Sequence, residues 1–180
     1  AGSGSQGANA VAVGNAAGSA SQGAGSVAVG LAAGYNAQGI DSAAVGRDAG
    51  KNAQGANAVA MGYLAGENAQ GGSCVAIGKE TARYSQGGNA VAVGAAAGFT
   101  SQGTNSVALG VSAGYTSQPA NSFYVGTNSI RTNGGGGALY FANSTGEFTW
   151  VNSDDRIKDD EIVITGAVKT LSKLRPQTYF

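Results

Sequence analysis

The chain has 180 residues, with 32 Gly, 2 Pro, one Cys and no His, and its ten Lys plus Arg balance ten Asp plus Glu. The absence of His removes the commonest general base and the commonest zinc ligand, and the lone Cys rules out an intrachain disulfide framework. There is no basic excess to hold a phosphate backbone, and the apolar runs fall far short of the roughly 20 residues that span a bilayer, so no cofactor, metal, nucleic acid, membrane insertion or enzymatic activity is expected.

From the N-terminus the chain is a repeat array. Gln6, Gln22, Gln38, Gln54, Gln70, Gln86, Gln102 and Gln118 recur every 16 residues. Counting each Gln as column one, columns six and eight are aliphatic, as in Val11 and Val13, Val75 and Ile77, or Val107 and Leu109. Period two over a short β-branched run bounded by Gly predicts a strand. Gly columns nine (Gly14 to Gly126) and thirteen (Gly18, Gly34, Gly50, Gly66, Gly98, Gly114) predict corners that need positive φ or close approach. Columns ten, eleven and fourteen vary without regard to chemistry and are expected to face solvent. A unit too short to fold alone must stack on its neighbours, so the array reads as a β-solenoid of 16-residue coils about 4.8 Å apart. The Gln column reads as an amide ladder along the stack, the alternative being a solvated polar column. Cys74 falls in a column otherwise filled by Ala and Ser and reads as a small buried filler.

Column seven is the one that points to assembly: Ala12, Ala28, Ala44, Ala60, Ala76, Ala92 and Ala108 sit between the aliphatics. A small residue held constant beside freely varying neighbours implies burial against something very close, and another copy of the same face about a three-fold axis is the simplest partner. These seven Ala are therefore the expected trimer interface.

The string Ser101-Gln102-Gly103-Thr104-Asn105-Ser106-Val107-Ala108-Leu109-Gly110, with echoes such as Asn9-Ala10-Val11-Ala12-Val13-Gly14, resembles the head repeat of trimeric autotransporter adhesins of the YadA type. That resemblance covers about residues 1 to 126 and implies a left-handed parallel β-roll with three chains to a head. The uniform 16-residue spacing departs from the shorter, less even bacterial heads.

The eighth unit departs from the pattern at Pro119 and Phe123-Tyr124, as a capping repeat would. Residues 1–133 are thus expected to form the solenoid. Residues 134–152 read as a Gly-rich hinge, Gly134 to Gly137, followed by an aromatic β-hairpin with strands Ala138-Leu139-Tyr140-Phe141 and Glu147-Phe148-Thr149-Trp150-Val151 around a turn at 143–146. Residues 153–180 change character: charge concentrates between Asp154 and Glu161, and Val168, Leu171 and Leu174 lie at helical spacing after Thr165 and before Pro176, predicting a short helix.

Ser153-Asp154-Asp155-Arg156-Ile157-Lys158, followed by Leu174-Arg175-Pro176-Gln177-Thr178-Tyr179, resembles the start of the self-cleaving intramolecular chaperone domain at the C-terminus of phage endosialidases, phage tail fibres and fibre-like proteins of large algal viruses. The resemblance implies trimerisation of a β-rich fibre and cleavage between Ser153 and Asp154 in a full-length precursor, with Ser153 as nucleophile and Lys158 as an assisting charge. Only the opening of such a domain is present, so this chain itself is not expected to cleave. A plain polar turn before the helix is the alternative for Ser153-Asp154-Asp155.

Together these features predict an all-β homotrimer: a fibre or spike protein on a virion surface, used in host attachment, whose partner is a host-surface glycan or protein. A bacterial cell-surface adhesin is the alternative, disfavoured by a tail that passes into the chaperone motif in place of a heptad coiled coil.

Overall fold

The computed structural model of the chain describes residues 1–126, 138–142 and 147–151. Its contacts divide the chain into two compact units, Ala1–Arg131 and Thr132–Phe180.

The first unit is a parallel β-solenoid of eight coils. Columns six to eight form strands β2 (Val11–Val13), β4 (Val27–Val29), β5 (Ala43–Val45), β7 (Val59–Met61), β9 (Val75–Ile77), β11 (Val91–Val93), β13 (Val107–Leu109) and β15 (Phe123–Val125). These eight stack in one parallel sheet in strict register, so that Ala76 pairs with Ala60 below and Ala92 above. The opposite wall is shorter. It consists of β1 (Ser5–Gln6) paired with β3 (Ser21–Gln22), and of β6 (Asn52–Gln54), β8 (Asn68–Gln70), β10 (Tyr84–Gln86), β12 (Thr100–Gln102) and β14 (Thr116–Gln118), with isolated bridges at Gln38 joining the two groups.

Two tight turns close each coil. In the first, the Ala10 N–H donates to the Gly7 carbonyl at 3.2 Å and Asn9 has φ of 58°. That is the pattern of a type II turn, whose third residue needs positive φ and favours Gly or Asn. It explains the fourth column, Asn9, Gly25, Asp41, Asn57, Ser73, Asn89, Asn105 and Asn121. The second turn repeats the geometry between columns nine and twelve, but its positive-φ position holds Asp48, which tolerates this region, and Ala16, Ala32, Leu64, Glu80, Ala96 and Ser112, which adopt it under strain.

Column two is Gly for a different reason. A Cβ there would lie 2.3 to 2.8 Å from the backbone of the next coil, in all seven coils that carry Gly. Only the eighth coil departs, with Pro119.

The core is a column of methyl groups. Ala28, Ala44, Ala60, Ala76, Ala92 and Ala108 from column seven meet Ala17, Ala33, Ala49, Ala65, Ala97 and Ala113 from column twelve, nearly all with no exposed surface. A smaller cluster of Ala58, Cys74 and Ala90 lies in column five.

In the second unit, β16 (Ala138–Ala142) and β17 (Glu147–Val151) pair antiparallel, with Tyr140 opposite Thr149. The turn that would close them into the expected hairpin, the Gly134 to Gly137 hinge and the expected helix after Thr165 lie outside the described residues.

Candidate functional site: the outer faces of the array

The column-seven Ala residues expected at a trimer interface are buried inside their own chain. Ala28, Ala44, Ala60, Ala76, Ala92 and Ala108 have no exposed surface in the single chain, and Ala12, in the first coil, packs on the same core. They cluster with the column-twelve residues, which are Ala in every one of these coils except coil five, where Thr81 takes the place. Beside column seven the interior is filled by the column-twelve residues and by the buried Gln side chains of the opposite wall, which leaves room for no more than the Ala methyl at column seven of the first seven coils. The assignment of these seven residues to a contact between copies is therefore corrected: a face already covered within one chain has nothing left to offer a second.

The outward residues of the same strands are the aliphatics. Val13 is 55 % exposed, Met61 45 % and Ile77 37 %, while Val27, Val59, Val75 and Val91 are half-buried. Columns six and eight hold no polar or charged residue in any of the eight coils. The sheet thus presents an uninterrupted aliphatic stripe two side chains wide and about 35 Å long by strand spacing. A stripe of this extent exceeds the scattered apolar residues of an ordinary surface.

The Gln column is neither a solvated edge nor a full ladder. From Gln22 to Gln118 the side chains are buried, and each Nε2 donates across the interior to a column-six carbonyl of the preceding coil, as Gln22 does to Val11 at 2.7 Å and Gln70 to Val59 at 2.8 Å. Gln is thus a brace tying the two walls together. Rungs between Gln side chains occur only from Gln70 to Gln86 and from Gln86 to Gln102, each 3.1 Å. Coil five is also where column thirteen is Ala82 and not Gly. In the other coils a Cβ at that column would strike the Gln amide oxygen, at 2.9 Å for Gly66 against Gln70. The Ala82 methyl takes that space, and the Gln86 oxygen accepts from Gln70.

All eight charged residues of the described solenoid fall in coils three to five: Asp41, Arg47, Asp48, Lys51, Glu67, Lys79, Glu80 and Arg83. Each cation among them has an acidic neighbour. Lys51 Nζ lies 2.9 Å from Asp48 and Arg83 Nε 2.7 Å from Glu67, and these hydrogen bonds raise the pKa of both cations. Arg47 and Lys79 lie 3.5 and 3.8 Å from Asp48 and Glu80. Arg47 also covers the Tyr63 ring at 4.4 Å and donates to its hydroxyl. Each cation of this region is thus held beside an acidic side chain.

Further along, column fourteen becomes aromatic. Phe99 and Tyr115 stack with centroids 4.8 Å apart and planes 1° from parallel, and Tyr84 meets the Phe99 ring edge-on at 5.5 Å. Tyr84 and Tyr115 are exposed. On the same wall runs an open groove of 380 Å³ lined by Ala69, Ser85, Ser101, Thr104 and the adjoining Gly and Gln residues, its Ser85 next in the chain to Tyr84.

Cys74 is buried, donates through Sγ to the Gly87 carbonyl at 2.9 Å, and has its thiol pKa pushed up by burial, the state of an inert filler. Among the described residues no three His, Cys, Asp or Glu side chains gather as metal ligands would. Ser153, Asp154 and Lys158 lie outside the described residues. No protein-family model, curated protein or solved structure matches the chain.

Proposed function

We propose that the chain is a structural component of a viral or phage fibre, in which three copies of a left-handed solenoid close on one axis to make a rigid shaft or head for host attachment. The observation that carries this reading is the aliphatic stripe on the outer face of the eight-stranded sheet. It is apolar at every coil and uncovered in a single chain. Another copy of the chain is the occupant that fits it best, because a parallel copy repeats the same coil spacing and its ridges fall into register along the whole length. An interface of ordinary size buries roughly 800 Å² on each partner, and a stripe 35 Å long with its flanks reaches that scale.

The interface thus moves from the Ala column to Val11, Val13 and their counterparts, while the trimer itself remains the reading. Two further features support a fibre. Stacked hydrogen-bonded coils give each chain axial stiffness, and the resemblance of Ser153-Asp154-Asp155-Arg156-Ile157-Lys158 to a trimerisation chaperone supplies an assembly route. On that route a longer precursor would be cut between Ser153 and Asp154 once assembled. The direct test is molar mass in solution by light scattering. A mass three times that of the chain is expected, and a stable monomer at micromolar concentration overturns the reading.

A further inference from the structure

The geometry points to a binding surface for an uncharged saccharide on coils five to seven, built from the rings of Tyr84, Phe99 and Tyr115 and the hydroxyl-lined groove beside them. It deepens the attachment reading by naming the ligand class, and its test reads saccharide binding separately from oligomeric mass.

Two neighbouring columns change chemistry at the same place. In coils two to four, column fifteen holds Asn36, Asn52 and Asn68 and column sixteen holds Ala37, Ala53 and Ala69. In coils five to seven these become Tyr84, Thr100 and Thr116, and Ser85, Ser101 and Ser117, just where column fourteen supplies Phe99 and Tyr115. Stacking of coils does not require this switch, since the Asn and Ala coils pair in the same parallel register. What the switch creates is a ridge of rings flanked by hydroxyls.

The ridge is held rigid. Phe99 is fixed between the edge of Tyr84 and the parallel face of Tyr115. Arg83 lies 5.0 Å over the Tyr84 ring and is itself pinned by Glu67. Yet Tyr84 remains 38 % and Tyr115 46 % exposed, so the rings are ordered by Arg83 and by one another and still reach solvent. An ordered aromatic surface binds at low entropic cost.

The chemistry selects the ligand. A pyranose ring offers an apolar C–H face, which packs on an aromatic ring, and a rim of hydroxyls, which hydrogen-bond to Ser and Thr hydroxyls. An acidic glycan would need an unpaired cation, and Arg83 is committed to Glu67. A protein partner would need a contact surface several times larger than three rings set one coil apart.

The experiment uses the whole chain and saturation-transfer NMR with chitotriose, cellotriose, mannotriose and galactotriose as neutral probes, and 3′-sialyllactose and a heparin hexasaccharide as acidic ones. At least one neutral trisaccharide should bind, with affinity falling roughly tenfold in Tyr84→Ser and in Tyr115→Ser. Tyr63→Ser, at another corner, should bind as the parent does, and all three variants should keep the parent's oligomeric mass. The proposal is overturned if no neutral probe binds, if only the acidic probes bind, or if binding survives both ring substitutions.

Discussion

Inside the coil and on the outer face of the same eight-stranded sheet the residues are equally apolar, but they differ in size. In β9, Ala76 points inward with no exposed surface, while Val75 and Ile77 flank it and point out. Hydrophobicity alone would send Val and Ile inside. Room decides otherwise, because the buried Gln braces and the column-twelve residues leave space for only a methyl at column seven, and the larger apolar groups go outside. The inward column is Ala in the first seven coils and changes only at Tyr124 in the eighth, whereas the outward columns accept Val, Ile, Met, Leu, Phe and Ala. Constancy here reports confinement within a chain, and tolerance reports a surface that tracks a softer boundary.

Substitutions inside the coil carry the largest cost. Ala76→Leu drives three extra carbons into a space bounded by Ala60, Ala92 and the facing wall, and should cost at least about 3 kcal/mol, whereas Val75→Leu one residue away should cost under about 0.5 kcal/mol. Thermal unfolding followed by circular dichroism at the strand band measures both. From outside, Val75→Glu should leave the coils folded but put a charge in the stripe of every copy, so light scattering should show a threefold fall in molar mass with the strand signal retained. Retention of trimer mass in that variant would remove the stripe from the interface.

The Gln brace and its Gly neighbour give a smaller test. Gly66 has φ of 53°, and an added Cβ would sit 2.9 Å from the Gln70 oxygen and 3.3 Å from the Ala60 methyl. Gly66→Ala should therefore cost about 1 to 2 kcal/mol, and the reverse exchange in coil five, Ala82→Gly, should recover about 1 kcal/mol. Chemical denaturation of the paired variants measures the difference. The smallest effect is expected at the second turn, where Ala96 has φ of 55°. Ala96→Gly relieves that strain while loosening the unfolded chain, and a net gain of about 0.5 kcal/mol should appear in the same denaturation series.

Much of this fold was legible in the residues. The recurrence of Gln gave the coil, the Val-Ala-Val runs gave the eight-stranded sheet, and the Gly columns gave the corners. The orientation of that sheet was not legible from the alternation alone, since period two separates the faces without saying which lies inside. A signal was nonetheless available in column twelve. Ala17, Ala33, Ala49, Ala65, Ala97 and Ala113 are nearly as constant as column seven, and two small constant columns on either side of the second turn are what a narrow interior demands. The role of Gln was hidden for another reason: a buried brace and a ladder both need a constant amide, and only the distance to the Val11 carbonyl and its equivalents separates them. The ring and groove surface rests on residues 15 or 16 positions apart, Tyr84, Phe99 and Tyr115, which meet only once the coils stack.

Pro119 gives the array a defined zero mark. Because any Cβ in its column would collide with a coil stacked above, a unit carrying Pro there cannot be followed by another of the same kind, while every earlier unit can. Length is then a matter of how many graduations precede the mark. Copying one 16-residue unit upstream of Pro119 would lengthen the rod by about 4.8 Å and leave its end unchanged, so reach toward a surface can be adjusted in fixed steps by duplication or deletion of a single unit.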